Sequence, residues 1–318
     1  MSSAALRLSE TAAALEPAAA APQPVDLKLV PAPPSADQAL DAVQRELDAL
    51  KAELDQLRRR DDSLHHYMRR LDEELKLAGR VQQDFLPKQL PKVGPVRFHT
   101  LFRPAGHVSG DLYDVMRLDE SHVGFYMADA VGHGMPAALL TMFLKQALVT
   151  KEIDAAAYRL LAPAQTMAKL NDALVTQNLS QATFATALYG HLNTRTLELT
   201  FAKGGHPSPI LLTADGELRP LDSDGPLLGI FPGEEFAQTT VKLSPGDRLF
   251  IYSDGVELVF SDEPSPDSDR WRQELHDRRH LPTNEIVREF NEHLDRVVAN
   301  TNRKRDDLTV IAMEIAGA

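Results

Sequence analysis

The chain contains no cysteine among its 318 residues. That removes thiolate nucleophiles, cysteine-ligated metals and disulfides together, and it fits a reducing compartment. No stretch approaches the roughly 18 consecutive apolar residues of a membrane span. The alanine-rich start is broken by Glu10, Glu16, Pro17, Pro22 and Pro24 and lacks the charged lead and continuous apolar core of a secretion signal. The expectation is a cytoplasmic protein with no membrane contact. Aromatic residues make up 6% of the chain, with one tryptophan, and the net charge is −12. Without a basic, aromatic-rich face, nucleic acid is not an expected partner.

Residues 1–35 are rich in Ala, Pro and Ser, and are expected to be a disordered N-terminus. From residue 36 the pattern changes. With Leu40 at heptad position a, the a positions are Leu40, Leu47, Leu54, Asp61, Met68, Leu75 and Gln82. The d positions are Val43, Leu50, Leu57, Leu64, Leu71, Ala78 and Phe85. All but Asp61 and Gln82 are apolar, which favours a coiled coil over a helix lying on its own domain. Glu46 with Lys51, and Glu53 with Arg58, suit a parallel homodimer, in which Asp61 would set register. The pattern predicts a dimerisation and linker helix over 36–86, ending before Pro87.

The remainder, 87–318, reads as one α+β domain. Strand-like runs lie at 96–103, 122–129, 184–193, 196–203, 208–213, 248–253 and 308–315, and helical runs at 136–150, 163–179 and 282–299. Several strands follow one another through short turns, as in "TALYGHLNTRTLELTFAKG", which favours antiparallel sheets.

Four stretches place an acid beside glycine or at a strand edge. They are "SGDLYD" with Asp111 and Asp114, "ADAVGHG" with Asp129, "FIYSDGVE" with Asp254, and "RDDLTVIAMEI" with Asp306 and Asp307. A lone Asp-Gly is usually a turn. Four such acids gathered without basic partners would repel one another, and a cation resolves that. An oxygen-only donor set suits a hard ion such as Mg²⁺ or Mn²⁺. His133 reads either as an acid or hydrogen-bond donor serving the site or as a residue that holds its own turn, and His206, in a tight Gly-Gly-His-Pro loop, poses the same choice. Asp114 and Asp119 read as structural or solvent-facing, and Arg303, Lys304 and Arg305 as a solvated charge run.

These motifs, with "RVQQDFLPKQLP", "FATALYGHLN", "KGGHPSPILL", "GPLLGIF" and "LSPGDRLFIYSDGVEL" in order between about Gly79 and Ile315, carry a resemblance. The chain resembles the PPM-type metal-dependent serine/threonine protein phosphatases, in the bacterial SpoIIE-like branch with its RsbU-type regulators. Ser109 and Leu112 depart mildly from the branch pattern. The resemblance implies a sandwich of two antiparallel β-sheets flanked by helices, here preceded by the long coiled-coil helix. It implies two divalent cations, Mn²⁺ or Mg²⁺, bridged by Asp129. The Ala130 carbonyl would add a ligand, Asp111 would serve one ion, and Asp254 with the acid opening the last strand, Asp306 in preference to Asp307, would serve the other. The pair would orient a phosphoserine or phosphothreonine and activate water for in-line attack, with no phosphoenzyme. The expected substrate is a phosphorylated regulatory protein, a STAS-type anti-sigma-factor antagonist in a partner-switching pathway, and an activating partner on the helical linker would fit. Two other readings stay open: a catalytically inactive coiled-coil scaffold, and a two-metal nucleotide hydrolase.

Overall fold

The structure is a computed structural model that describes residues 35–154, 157–179, 183–260, 270–300 and 306–317. The N-terminal segment expected to be disordered, up to residue 34, and the basic run Arg303–Arg305 lie outside the described residues. The chain divides into two compact units, one ending at His65 and one beginning at His66.

Helix α1, Ala36–Asp84, runs through that boundary as one 49-residue element. In its first part the heptad stripe faces solvent: Leu40, Val43, Leu47, Leu50, Leu54, Leu57 and Leu64 are all exposed. Its last turns belong to the second unit and pack against residues 107–109. Gly79 is buried, and a Cβ there would lie 1.9 Å from the His107 carbonyl oxygen. Gln82, a heptad a position, is 1% exposed and spends its amide on the chain before Asp111. Its Nε2 donates to the Ser109 oxygen at 2.7 Å, and its Oε1 accepts from Ser109 N at 2.9 Å. The polar break in the heptad pattern is therefore a clamp within the second unit, to which this end of α1 belongs.

That unit contains two five-stranded antiparallel sheets. The first orders β1 (Val96–Arg103), β12 (Leu308–Ile315), β11 (Arg248–Tyr252), β8 (Ile210–Leu212) and β9 (Leu218–Pro220). The second orders β10 (Thr239–Lys242), β7 (Glu198–Gly204), β6 (Ala185–Asn193), β3 (His122–Ala130) and β2 (Asp111–Arg117). A separate hairpin pairs β4 (Lys151–Asp154) with β5 (Ala157–Leu160).

Why the central strands read as unbroken apolar runs is plain from their two faces. In β12, Ile311, Met313 and Ile315 enter the core between the sheets, whereas Leu308, Val310 and Ala312 enter a core with Trp271, Phe290 and Ile286. In β3, Val123, Phe125 and Met127 face the other sheet, whereas Tyr126, Ala128 and Ala130 pack against helical residues such as Leu144 and Leu170. A strand buried on both faces has no polar alternation to show. The outer layers are α2 (Met135–Ala147) and α3 (Pro163–Thr176) on the second sheet. On the first sheet they are α4 (Gly255–Phe260), α5 (Arg270–Asp277) and α6 (Thr283–Asn300). The result is the expected sandwich of two antiparallel sheets flanked by helices. Among the described residues, no helix is long and apolar enough to cross a membrane.

Candidate metal centre

The site lies where the two sheets meet at one end. β2 begins at Asp111, and its cross-strand partner on β3 is Asp129. Directly opposed residues on antiparallel strands share a face with Cβ atoms about 4.5–5.5 Å apart, and like charges there are destabilising. From the first sheet come Asp254, two residues beyond the end of β11, and the Asp306–Asp307 pair that precedes β12.

Each acid has distinct surroundings. Asp111 is 1% exposed and accepts a hydrogen bond from Thr309 Oγ1 at 2.6 Å. Burial raises its carboxyl to about 7 against the hydroxyls of Ser253 and Thr309, and the charges of Asp307 and Asp254 push the same way. Asp129 is raised to about 9, first by burial and then by the charges of Asp111, Asp254, Asp306 and Asp307. Every charge that weighs most on it is thus another acid. Asp254 is exposed to solvent yet also raised, by crowding against protein and by Asp306.

Asp306 and Asp307 separate clearly. Asp307 is 7% exposed, and both its oxygens are spent on backbone N–H groups. Oδ1 accepts from Ala105 N at 2.7 Å and Oδ2 from Gly110 N at 2.6 Å. Asp306 is exposed, and among the described residues its Oδ1 accepts only the neighbouring Asp307 N, at 2.9 Å.

The small residues of these motifs do two different jobs. Gly132 and Gly134 have φ of 93° and 75°, while a Cβ at either would meet nothing within 4 Å. They are needed for the left-handed turn into α2, not for close approach. Gly255 is the reverse: a Cβ there would sit 2.0 Å from the Asp307 carbonyl oxygen. Only glycine lets the 306–307 backbone lie against the Asp254 turn.

The histidines stand apart from this cluster. His133 is exposed and makes no hydrogen bond among the described residues, so it does not hold its own turn. His206 is buried, and its Nδ1 meets Thr186 Oγ1 at 2.8 Å. Thr186 is the cross-strand partner of Asp129, so His206 buttresses the strand beside the site. Burial, then Lys203, lowers its ring to about 3, which keeps it neutral. Asp114 pairs with Lys145 at 2.9 Å, and Asp119 accepts Ser121 N and His122 N, both at 2.7 Å, so both acids are structural. Ser253 and Thr309, which fix Asp111, carry no sequence signal beyond standing beside an acid in "SDG" and "DDLT".

Hard divalent cations fit this donor set. The donors are all oxygens, the carboxylates repel one another, and burial makes their charge costly until a cation offsets it. Among the described residues, no three acidic or histidine side chains close on one point as metal ligands do.

Fold and site together define a PP2C-like architecture with an acidic centre between two sheets. Residues 119–316 match the family model described as Stage II sporulation protein E (SpoIIE), and the chain belongs to that family. It is 29% identical over 197 residues to the phosphoserine phosphatase RsbU of Bacillus subtilis, an alignment spanning 60% of this chain and 57% of that protein. It is 26% identical over 265 residues to protein IcfG of Synechocystis sp., across 77% of this chain and 38% of that protein. The chain therefore spans less than two-thirds of either relative. The SiaA-PP2C domain of Pseudomonas aeruginosa superposes with a TM-score of 0.66 at 24% identity, covering 78% of this chain and 98% of that one, and shares the fold.

Proposed function

We propose that the protein is a metal-dependent phosphatase acting on phosphoserine or phosphothreonine in a regulatory protein. One observation carries this reading: Asp111 and Asp129 oppose each other across paired strands at the sheet end where Asp254 and Asp306 also arrive. The family membership and the name of the relative RsbU, a phosphoserine phosphatase, support it.

Two divalent cations, Mn²⁺ or Mg²⁺, would be held by Asp129 together with Asp111 and the Ala130 carbonyl from the same sheet and Asp254 and Asp306 from the other. Ions there would neutralise phosphate charge and make water a stronger nucleophile at neutral pH. Asp306 is preferred to Asp307 because both oxygens of Asp307 are already engaged by backbone donors. Asp307 instead ties the chain before β12 to the turns before β2 and after β1. Thr309 and Ser253 fix the rotamer of Asp111, so its carboxylate is presented in one direction. Phosphoryl transfer asks the protein mainly for positioning and charge neutralisation, and rigid carboxylates on strand ends supply both.

The finer expectations belong to the same proposal. The substrate is a STAS-type anti-sigma-factor antagonist in a bacterial partner-switching pathway, and the setting is the cytoplasm. The exposed apolar stripe of α1 supports a parallel homodimer, and the same helix offers an activating partner its docking face. Replacing Leu50 and Leu57 with Glu in the full chain should leave a monomer by light scattering; an unchanged dimer refutes the coiled-coil assignment.

The decisive assay is phosphate release from a phosphoserine peptide with and without Mn²⁺ or Mg²⁺. Activity should require the added ion and fall by at least about 100-fold in Asp254→Asn. A variant as active as wild type refutes the site.

A further inference from the structure

A second feature shares the sheet end occupied by Asp129. Ala185, the first residue of β6, pairs with Ala130 on one side and bridges to Leu228 on the other. Both neighbours run antiparallel to β6, so the chain leaving Leu228 projects beyond the same edge as the chain leaving Asp129 and Ala130. The residues it presents there are Ile230 and Phe231, 45% and 62% exposed.

Scattered apolar residues on a surface need no explanation. These two differ because the loop that shows them is tightly built. Leu228 before it and Phe236 after it are both buried in the core beneath α2 and α3. Asn171, with no exposure at all, grips the loop at two points: its Nδ2 donates to the Phe231 oxygen and its Oδ1 accepts from Gly229 N, both at 2.8 Å. Asp172 Oδ1 accepts from Gly233 N at 3.0 Å. At Gly229, φ is 92° and a Cβ would collide with Leu174 Cδ2 at 2.6 Å, so only glycine permits this path. A buried amide committed to the backbone of a loop that points two large apolar side chains at solvent fixes a contact surface in advance, at low ordering cost on binding. Glu235 beside it is exposed, and Glu234 half-buried.

We propose that the Ile230–Phe231 loop is the substrate-docking element of this phosphatase. It seats an apolar side chain of the phosphorylated protein, with Glu234 and Glu235 meeting a basic residue next to it. The phosphate and the docked side chain are separated by two strand spacings and a short loop, about 10–15 Å. An extended segment covers that in about three to five residues. The substrate class is thus a phosphoserine or phosphothreonine segment with an apolar residue at that spacing and a neighbouring Lys or Arg. Asn171 is a positioning residue in this scheme. The inference rests on the phosphatase reading and adds to it what the site recognises beyond the phosphate.

The test uses the full-length protein with Mn²⁺ and three substrates. Two are phosphoserine peptides of equal length with flanking Arg, one carrying Leu three to five residues from the phosphoserine on both sides, the other Ala at those positions. The third is phenyl phosphate. Wild type should prefer the Leu peptide about tenfold in kcat/KM, mainly through KM. Phe231→Ser should lower the ratio of Leu-peptide to phenyl phosphate activity about tenfold, and Glu235→Lys should lower it in part. If Phe231→Ser leaves that ratio at the wild-type value, including by weakening both activities equally, the docking proposal is wrong. A wild-type protein inert toward phenyl phosphate and both peptides refutes the phosphatase reading itself, and the docking role with it.

Discussion

Replacing Asp129 with Asn should make the metal-free protein more stable while removing its activity. In the folded chain, burial and four neighbouring acids raise this carboxyl from its ordinary 3.8 to about 9. Between those values the folded state keeps a proton that the unfolded chain has released. Stability therefore falls as pH rises, by about 1.4 kcal/mol per pH unit. The penalty is absent below about pH 4 and reaches about 4 kcal/mol at pH 7. Asn has nearly the same shape and no charge to desolvate, though its amide keeps a smaller burial cost. The expected gain at pH 7 is about 2–4 kcal/mol, and at pH 5 about 1 kcal/mol. For a unit of this size that corresponds to roughly 5–15 °C in Tm at pH 7.

Thermal melts in EDTA at pH 5, 6, 7 and 8 read this directly. The gap between Asp129→Asn and wild type should widen with pH. Saturating Mn²⁺ should close or reverse it, because only wild type gains the bound ions. A variant less stable than wild type in EDTA at pH 7, or a gap that does not change with pH, would mean that the acids are not electrostatically frustrated and do not form a metal centre.

Other perturbations divide the site into its parts. Asp306→Ala should leave Tm within about 1 °C, since the residue is exposed, yet cost most of the activity. Asp307→Ala should cost about 3 kcal/mol, because it strands the N–H groups of Ala105 and Gly110; the reverse pattern in paired melts and assays would exchange the two roles. Gly255→Ala should cost at least about 2 kcal/mol and most activity by forcing the Asp307 carbonyl away, and a silent variant in denaturant titration would contradict the packing at that turn. Wild type should gain more Tm from Mn²⁺ or Mg²⁺ at pH 8 than at pH 6, since fewer carboxyl protons must be displaced; a larger gain at pH 6 would oppose the raised values of Asp111 and Asp129.

What the sequence showed and what it hid follow from burial. β3, β6 and β12 were legible because both faces are buried and the residues form unbroken apolar runs. β2 was read as an acidic motif, since "DLYDVMR" carries Asp at both a site and an ion pair. β9, "LRP", and β10, "TTVK", are short outer strands with exposed positions, and nothing in three or four such residues separates them from loop. Helix α5, "RWRQELHD", turns only Trp271 and Leu275 inward, so two apolar residues among six polar ones give no helical stripe to read. The heptad repeat was legible throughout α1, but its final a position, Gln82, belongs to a contact with Ser109 that no local pattern announces.

The acids themselves were visible as strand-edge carboxylates, whereas the groups that orient them were not, because those bonds run between the two sheets. Thr309 on β12 donates to Asp111 on β2, and Asp307 accepts Gly110 N from the turn that leads into β2. Asp111 and Asp129 thus come from one sheet, Asp254 and Asp306 from the other, and their spacing is set by how the sheets pack. The core between them, built from residues such as Phe125, Met127, Ile311 and Met313, is what holds like charges together against their repulsion. A change in that core far from any carboxylate therefore acts on the site through the Thr309–Asp111 and Asp307–Gly110 bonds. Metal affinity should weaken before the fold is lost, because the acidic centre is the part of the molecule under electrostatic load.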